Sequence, residues 1–314
     1  MQFTSLAGTG LGLSQEEITR LFEPFVARKF DAGDFEWQAE MSERKRGILR
    51  RYLKRVLMPW STRTKRDERE VIREYSKAWN PGEYENYRLG GELPRLSPWI
   101  YRGERMFASD IGGTRFRQAM LVRMIEHVKP RRVLEIGCGN GINLLLLAGS
   151  FPDVEFAGVE LTREGNDSAL EFQRHEVLPE AMQAYAPLPL KDATAFRRIR
   201  FVQGNAAELP FADNEFDLVY SILALEQMEQ IRDRALAEFA RVAGKYALMF
   251  EPFRDVNNKG WPRANIIRRN YFRGRIADLP AYGLKPVIIT DDFPQEVFLR
   301  ACMVLSEKLP SRSN

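Results

Sequence analysis

The chain has 314 residues, 44% of them hydrophobic and 29% charged. That is a globular composition, with room for two domains or one domain carrying a large appendage at about 150 residues each. Cys138 and Cys302 are its only cysteines, and His127 and His175 its only histidines, which excludes a disulfide scaffold and leaves no metal site to expect. Net charge is +4 but uneven, with twelve Lys/Arg against three acids between Arg44 and Arg73 and seven against one between Arg254 and Arg275. Such blocks suit an anionic small molecule, a nucleic acid, a membrane surface or simply solvated helix faces.

In chain order, Ser14 and Glu17 form a capping box ahead of Ile18, Leu21, Phe22, Phe25 and Val26, and Pro24 should shorten that helix. A second helix is predicted over 42–57, with Ile48, Leu49, Tyr52, Leu53, Val56 and Leu57 on one apolar stripe. The expectation is that this stripe packs inward and the arginines face water. A third helix is predicted over 65–79 and ends at Asn80-Pro81-Gly82; residues 80–113 read as an irregular but packed connection, and Thr114 is taken to cap the next helix. The N-terminal MQFTSLAGTGLGLSQEE lacks the basic start of a signal peptide. No apolar run reaches the ~18–20 residues of a membrane span, so the expected compartment is a reducing cytoplasm.

From Arg131 the texture changes. Strands are predicted at 133–136, 154–160, 199–203, 216–221 and 246–251, with helices at 141–149, 163–176 and 230–242. This is βαβ patterning, hence an α/β chain with a mostly parallel sheet covered on both faces. Residues 177–198 read as an insertion, and 284–291 with 298–308 as a closing hairpin at the sheet edge. The division expected is a helical cap over 1–115 and a ligand-binding α/β domain over 116–314, with insertions at 177–198 and 254–283.

The most informative stretch is VLEIGCGNGINLLLLA, residues 133–148. A short strand runs into glycines at alternate positions, where the backbone can turn tightly and approach a ligand, and then into a helix whose amide end favours anionic groups. A dinucleotide fold wants G-x-G-x-x-G, and the third glycine would fall at Ile142. The pattern present is E-x-G-x-G-x-G. It resembles motif I of the class I S-adenosylmethionine-dependent methyltransferases. Glu160 at the end of FAGVEL and the segment FVQGNAAELPFADNEFDLVYS, residues 201–221, are similar to that family's later motifs, and the nearest pattern is that of the small-molecule enzymes of ubiquinone/menaquinone biosynthesis. The resemblance covers roughly residues 130–252 and implies a doubly wound, seven-stranded, mostly parallel Rossmann-like sheet with S-adenosylmethionine as cofactor.

Carried over residue by residue, the resemblance puts Glu160 on the ribose hydroxyls, beside Leu161, and Asn205 with Ala206 at the adenine. Gly137, Cys138, Gly139 and Gly141 serve the methionine end, Glu135 orients their loop, and Ser221 and Ile222 line the methionine channel. Asn205 stands where the family usually has an aspartate, so its amide nitrogen needs another partner. No histidine follows the fourth strand, which leaves Glu226 and Glu251 as candidate general bases. The acceptor expected is a small anionic or glycosidic metabolite methylated on O or N. Its lid is expected from residues 1–115 with 177–198 and 254–283, whose aromatics and arginines include Trp60, Trp79, Tyr87, Trp99, Tyr101, Arg268, Arg269, Tyr271 and Phe272. Alternatives are an RNA or DNA methyltransferase using the basic helices and a non-catalytic nucleotide-binding module. A homo-oligomer is left open.

Overall fold

The computed structural model of the chain describes residues 3–4, 6, 9–58, 68–77, 79 and 81–310. Ser14 opens α1 (Gln15–Phe22) with the anticipated capping box: its hydroxyl accepts from the Glu17 amide, and the Ser14 amide donates to the Glu17 carboxylate. Glu23-Pro24-Phe25 then tightens into a 3-10 turn and releases the chain into β1 (Val26–Phe30). Asp34 caps α2 (Phe35–Leu57), and α3 (Glu68–Tyr75) follows. β2 (Leu96–Tyr101) and β3 (Glu104–Ser109) form a hairpin whose turn, Arg102-Gly103, has positive φ at both residues.

Ser109, rather than Thr114, caps α4 (Asp110–Val128). The intervening Gly112 and Gly113 look like helix breakers in sequence. Here they let the helix lie directly on Phe25 and Trp99. The residues expected to be an irregular connection therefore hold much of a sheet. Among the described residues, β1, β3, β2 and β10 (Gln295–Glu296) form an antiparallel sheet in that order.

The second sheet carries the site. Its strands are β4 (Arg132–Ile136), β5 (Glu155–Glu160), β6 (Arg200–Gln203), β7 (Phe216–Ile222), β8 (Ala243–Glu251), β9 (Leu284–Thr290) and β11 (Cys302–Lys308). Their order is β6-β5-β4-β7-β8-β11-β9, parallel throughout except for β11, which runs against both neighbours. Helices α5 (Ile142–Ser150), α6 (Arg163–Phe172), α7 (Glu180–Tyr185), α8 (Arg232–Val242) and α9 (Gly260–Arg269) occupy the connections. The apolar strands bury Leu134, Val159, Val219, Met249 and Val304 against α8 on one face. The other face packs on α4 and α5 through Phe116, Met120, Leu144 and Phe250. Chain order reverses at β4, with β5 on one side and β7 on the other. That is the switch point at which open α/β sheets leave a crevice beyond the strand ends.

One expectation is overturned in part. Only one edge of the α2 stripe packs inward: Ile48 is buried, with Trp37 and Met41 before it, and Tyr52 is half-buried, while Leu49, Leu53, Val56 and Leu57 are exposed. The side of the helix bearing Arg44, Ile48, Arg51 and Arg55 is turned to the protein instead, against α9. Periodicity shows that a helix has two faces, but which one meets a neighbour is decided by the neighbour.

Candidate active site

The crevice starts at the turn after β4. Gly137, Gly139 and Gly141 all adopt left-handed backbone, with φ of 74°, 56° and 78°, a conformation that costs an L-residue roughly 1–2 kcal/mol. Space is as restrictive as conformation. A Cβ at Gly137 would stand 2.5 Å from the Ala224 methyl, and one at Gly139 2.5 Å from the Trp79 ring. The turn is stitched to β5, since the Gly137 and Cys138 amides donate to the Val159 carbonyl (2.8 and 3.1 Å).

Glu135 lies beneath the turn, fully buried, accepting from Asn143 Nδ2 (2.7 Å) and from the Tyr220 hydroxyl (2.9 Å). Burial pushes its carboxyl up to about 8. Its role in the geometry is to tie α5 and β7 to the glycine turn. Glu160, at the tip of β5, is also buried. It accepts from the Gly139 amide (3.0 Å) and from the Thr162 amide and hydroxyl (2.9 and 2.7 Å). A carboxylate offers about four acceptor positions, so Glu160 keeps one for a further donor and grips the glycine turn with the rest.

Two cavities open from this point. The smaller, of about 340 Å³, is lined by Gly137, Glu160, Leu161, Asn205, Ala206, Ile222 and Glu226, under a roof of Glu68, Val71, Tyr75 and Trp79. Asn205 donates Nδ2 to Glu68 Oε2 (2.8 Å), which supplies the partner that its amide was expected to need, and its carbonyl accepts from the Ala207 amide (2.9 Å). The Trp79 indole lies across Gly139 and Gly165, its Nε1 buried with no hydrogen-bond partner. The segment ending at Trp79 is thus a cover over the crevice.

The larger cavity, about 750 Å³, lies on the other side of the turn and shares Trp79, Gly137, Ile222, Leu223 and Glu226 with the smaller. Glu135, Cys138 and Gly139 also line it. Burial holds the Cys138 thiol well above its usual range, so it is a thiol wall and not a nucleophile. Here the two basic blocks of the sequence converge, with Arg44 and Arg51 from α2 facing Arg268 and Arg269 from α9. Burial, with Arg269 and Arg51 close by, lowers the Arg268 guanidinium to about 10. Arg117 is buried deeper, with Nε unpartnered, and Glu296 beside it is pushed up to about 7 by burial.

Glu226 stands where the cavities meet. It is buried, Oε1 accepts from Gln227 Nε2 (2.7 Å), and Oε2 has no hydrogen-bond partner. Burial, then repulsion from Glu251 and Glu296, raises it to about 8. The remaining sequence candidates sit back from the cavities. Gly141 caps α5, and Ser221 is wholly buried in β7. Glu251, also wholly buried, accepts from the Ala224 and Leu225 amides (3.0 and 3.1 Å) and lines neither cavity. It fixes the turn that carries Glu226. Of the expected lid, Trp79, Tyr87, Tyr271, Arg268 and Arg269 reach the larger cavity, Trp99, Tyr101 and Phe272 are core, and Trp60 lies outside the described residues. Arg117, Asp110 and Glu296 were missed. They come from α4 and β10, and only the packing of distant elements brings them together.

Comparison with known proteins places the same stretch. A family described as a methyltransferase domain matches residues 134–248. The chain is 30% identical over 139 residues to a fatty-acid O-methyltransferase of Mycolicibacterium smegmatis, across 44% of this chain and 43% of that protein. It is 28% identical over 149 residues to the ajmaline N-methyltransferase of Rauvolfia serpentina, across 44% of each. It is 31% identical over 119 residues to a ubiquinone/menaquinone biosynthesis C-methyltransferase of Legionella pneumophila, across 38% of this chain and 41% of that protein. The chain spans less than half the length of each of these relatives.

Proposed function

We propose, for a chain whose residues 134–248 match a methyltransferase-domain family, that it transfers the methyl group of S-adenosylmethionine to an oxygen or nitrogen of a small anionic or glycosidic metabolite. The observation that carries this reading is the junction of the two cavities at Gly137, Ile222, Leu223 and Glu226. One cavity suits a nucleoside and the other a charged acceptor.

The residues present fit the cofactor. Gly137 and Gly139 leave no Cβ in the way of its methionine end, with Cys138 on the wall between them and Gly141 starting α5 behind, and Glu160 retains an acceptor position for the ribose. Leu161, Asn205 and Ala206 wall the adenine side, with Ile222 toward the methyl group. When bound, S-adenosylmethionine supplies a methyl carbon on a good leaving group, so that alignment provides much of the rate. The chain's own work is then to hold the acceptor and manage one proton. Arg117, Arg268 and Arg269 hold the acceptor's anionic group by charge-assisted hydrogen bonds. Glu226 Oε2 takes the proton from the attacking group. Glu251 positions Glu226 through the 224–225 amides, and Trp79 keeps water from the junction.

A small acceptor is favoured over a nucleic acid because Arg44, Arg51, Arg268 and Arg269 meet around a cavity and not along an open groove. The names of the relatives include O-, N- and C-methyltransferases, so the acceptor atom rests on the chemistry of Glu226 alone. Incubation with S-adenosylmethionine and a panel of carboxylate- and phosphate-bearing metabolites, read by mass spectrometry, tests the proposal. A singly methylated acidic product supports it. Turnover of neutral acceptors only would contradict it.

A further inference from the structure

The orientation of α2 calls for an explanation beyond the acceptor cavity. Four large aliphatic side chains on one face of this helix are left in solvent: Leu49, Leu53, Val56 and Leu57 are 44%, 42%, 51% and 65% exposed. At 100° per residue Leu49, Leu53 and Val56 share a single stripe. Lys45 borders it on one side and Arg46 and Arg50 on the other, and no acidic residue occurs between Lys45 and Met58. The opposite face, with Arg44 and Arg51, is already occupied by the cavity and α9, so the helix cannot turn to bury its leucines without emptying that wall.

We propose that the outer face of α2 docks on the surface of an anionic lipid bilayer, leucines in the interface and Lys45, Arg46 and Arg50 among the headgroups. An apolar stripe edged by cations is the pattern that lies in such an interface, and each cation near a negative surface adds to the attraction. A second copy of this chain is the less suitable occupant, because a symmetric contact would bring together two helix faces bordered by cations and bearing no acid to pair with them. Docked in this way, the protein would hold its acceptor cavity about one helix diameter, ~10 Å, from the headgroups. The inference does not depend on methyl transfer.

Co-sedimentation of the full chain with vesicles tests it directly. The chain should pellet with phosphatidylcholine vesicles that contain phosphatidylglycerol, stay in solution with pure phosphatidylcholine, and be released by salt. Leu53→Glu with Val56→Glu should abolish pelleting, and Arg46→Glu with Arg50→Glu should weaken it at least ~tenfold. All four side chains are exposed, so far-UV circular dichroism and the melting temperature should not change. Failure of the wild-type chain to bind the anionic vesicles would overturn the proposal, as would equal pelleting of the Leu53/Val56 variant. A wild-type dimer that this same variant turns into a monomer would also overturn it, assigning the face to a second copy.

Discussion

The two cavities that meet at Glu226 differ in how their polar groups are satisfied. On the nucleoside side the carboxylate and backbone amides are paired within the fold, Glu160 with Gly139 and Thr162, Asn205 with Glu68 and Ala207, and the Gly137 and Cys138 amides with Val159, leaving the neutral Trp79 Nε1 and Gln227 Oε1 unpartnered. On the acceptor side Arg117 Nε, Asp110 Oδ1 and Glu226 Oε2 are buried without hydrogen-bond partners, and Arg268 stands among like charges. Unpaired buried polar groups are costly and cluster where a ligand completes them. The difference teaches that the first cavity is a preformed mould, whereas the second is assembled around something it lacks.

The contrast can be broken at several points. The largest effect should come from Glu226→Gln. With a carboxyl raised to about 8, a general base works only once deprotonated, so wild-type kcat/KM should climb as pH rises through that value. The variant should lose about 10²–10⁴-fold and show no such rise. An unchanged profile would remove Glu226 from proton transfer. Next, Glu160→Ala should weaken S-adenosylhomocysteine binding by ~1.5–3 kcal/mol, the scale of charge-assisted hydrogen bonds. Unaltered affinity in calorimetry would deny it the ribose.

Arg268→Met with Arg269→Met should raise the acceptor KM about tenfold or more and leave cofactor affinity as it was. A loss of cofactor affinity instead would merge the two cavities into one site. The smallest effect is on stability. Glu135, Glu226, Glu251 and Glu296 hold their protons up to about 8, 8, 7 and 7 in the fold. The folded chain therefore binds more protons than the unfolded one above the ordinary carboxylate range. Stability is fullest below that range and drains away as pH rises through those values. The melting temperature should fall by a few degrees between about pH 5 and 8.5, and less in Glu226→Gln. A rise over that interval would contradict the burial of these acids.

How much of this was legible follows the same division. The parallel strands and the glycine turn are local: apolar runs bounded by turn residues, and a backbone conformation that only glycine adopts cheaply. Glu160 and Asn205 lie at fixed distances from those strands, and both line the smaller cavity. The acceptor side is non-local. Arg117, Glu296 and Arg268 come from α4, β10 and α9, and no spacing rule links them. The antiparallel sheet escaped for a related reason. β1 carries Arg28 and Lys29, β2 contains Pro98, and β10 is two residues long, so none shows a clean alternation. Of the α2 stripe only the Ile48 edge meets the protein and Leu49, Leu53, Val56 and Leu57 do not, because the neighbour that selects the face, α9, lies more than 200 residues away in sequence.

The central claim is that the glycine turn after β4, with Glu160 behind it, holds S-adenosylmethionine. Calorimetry of the wild-type chain and of Gly139→Val, each titrated with S-adenosylmethionine and with NAD, tests it most directly. The account predicts that the wild type binds the sulfonium compound and not NAD, and that the valine variant binds neither while keeping its circular dichroism. Binding of NAD alone, or undiminished S-adenosylmethionine binding by Gly139→Val, would contradict it.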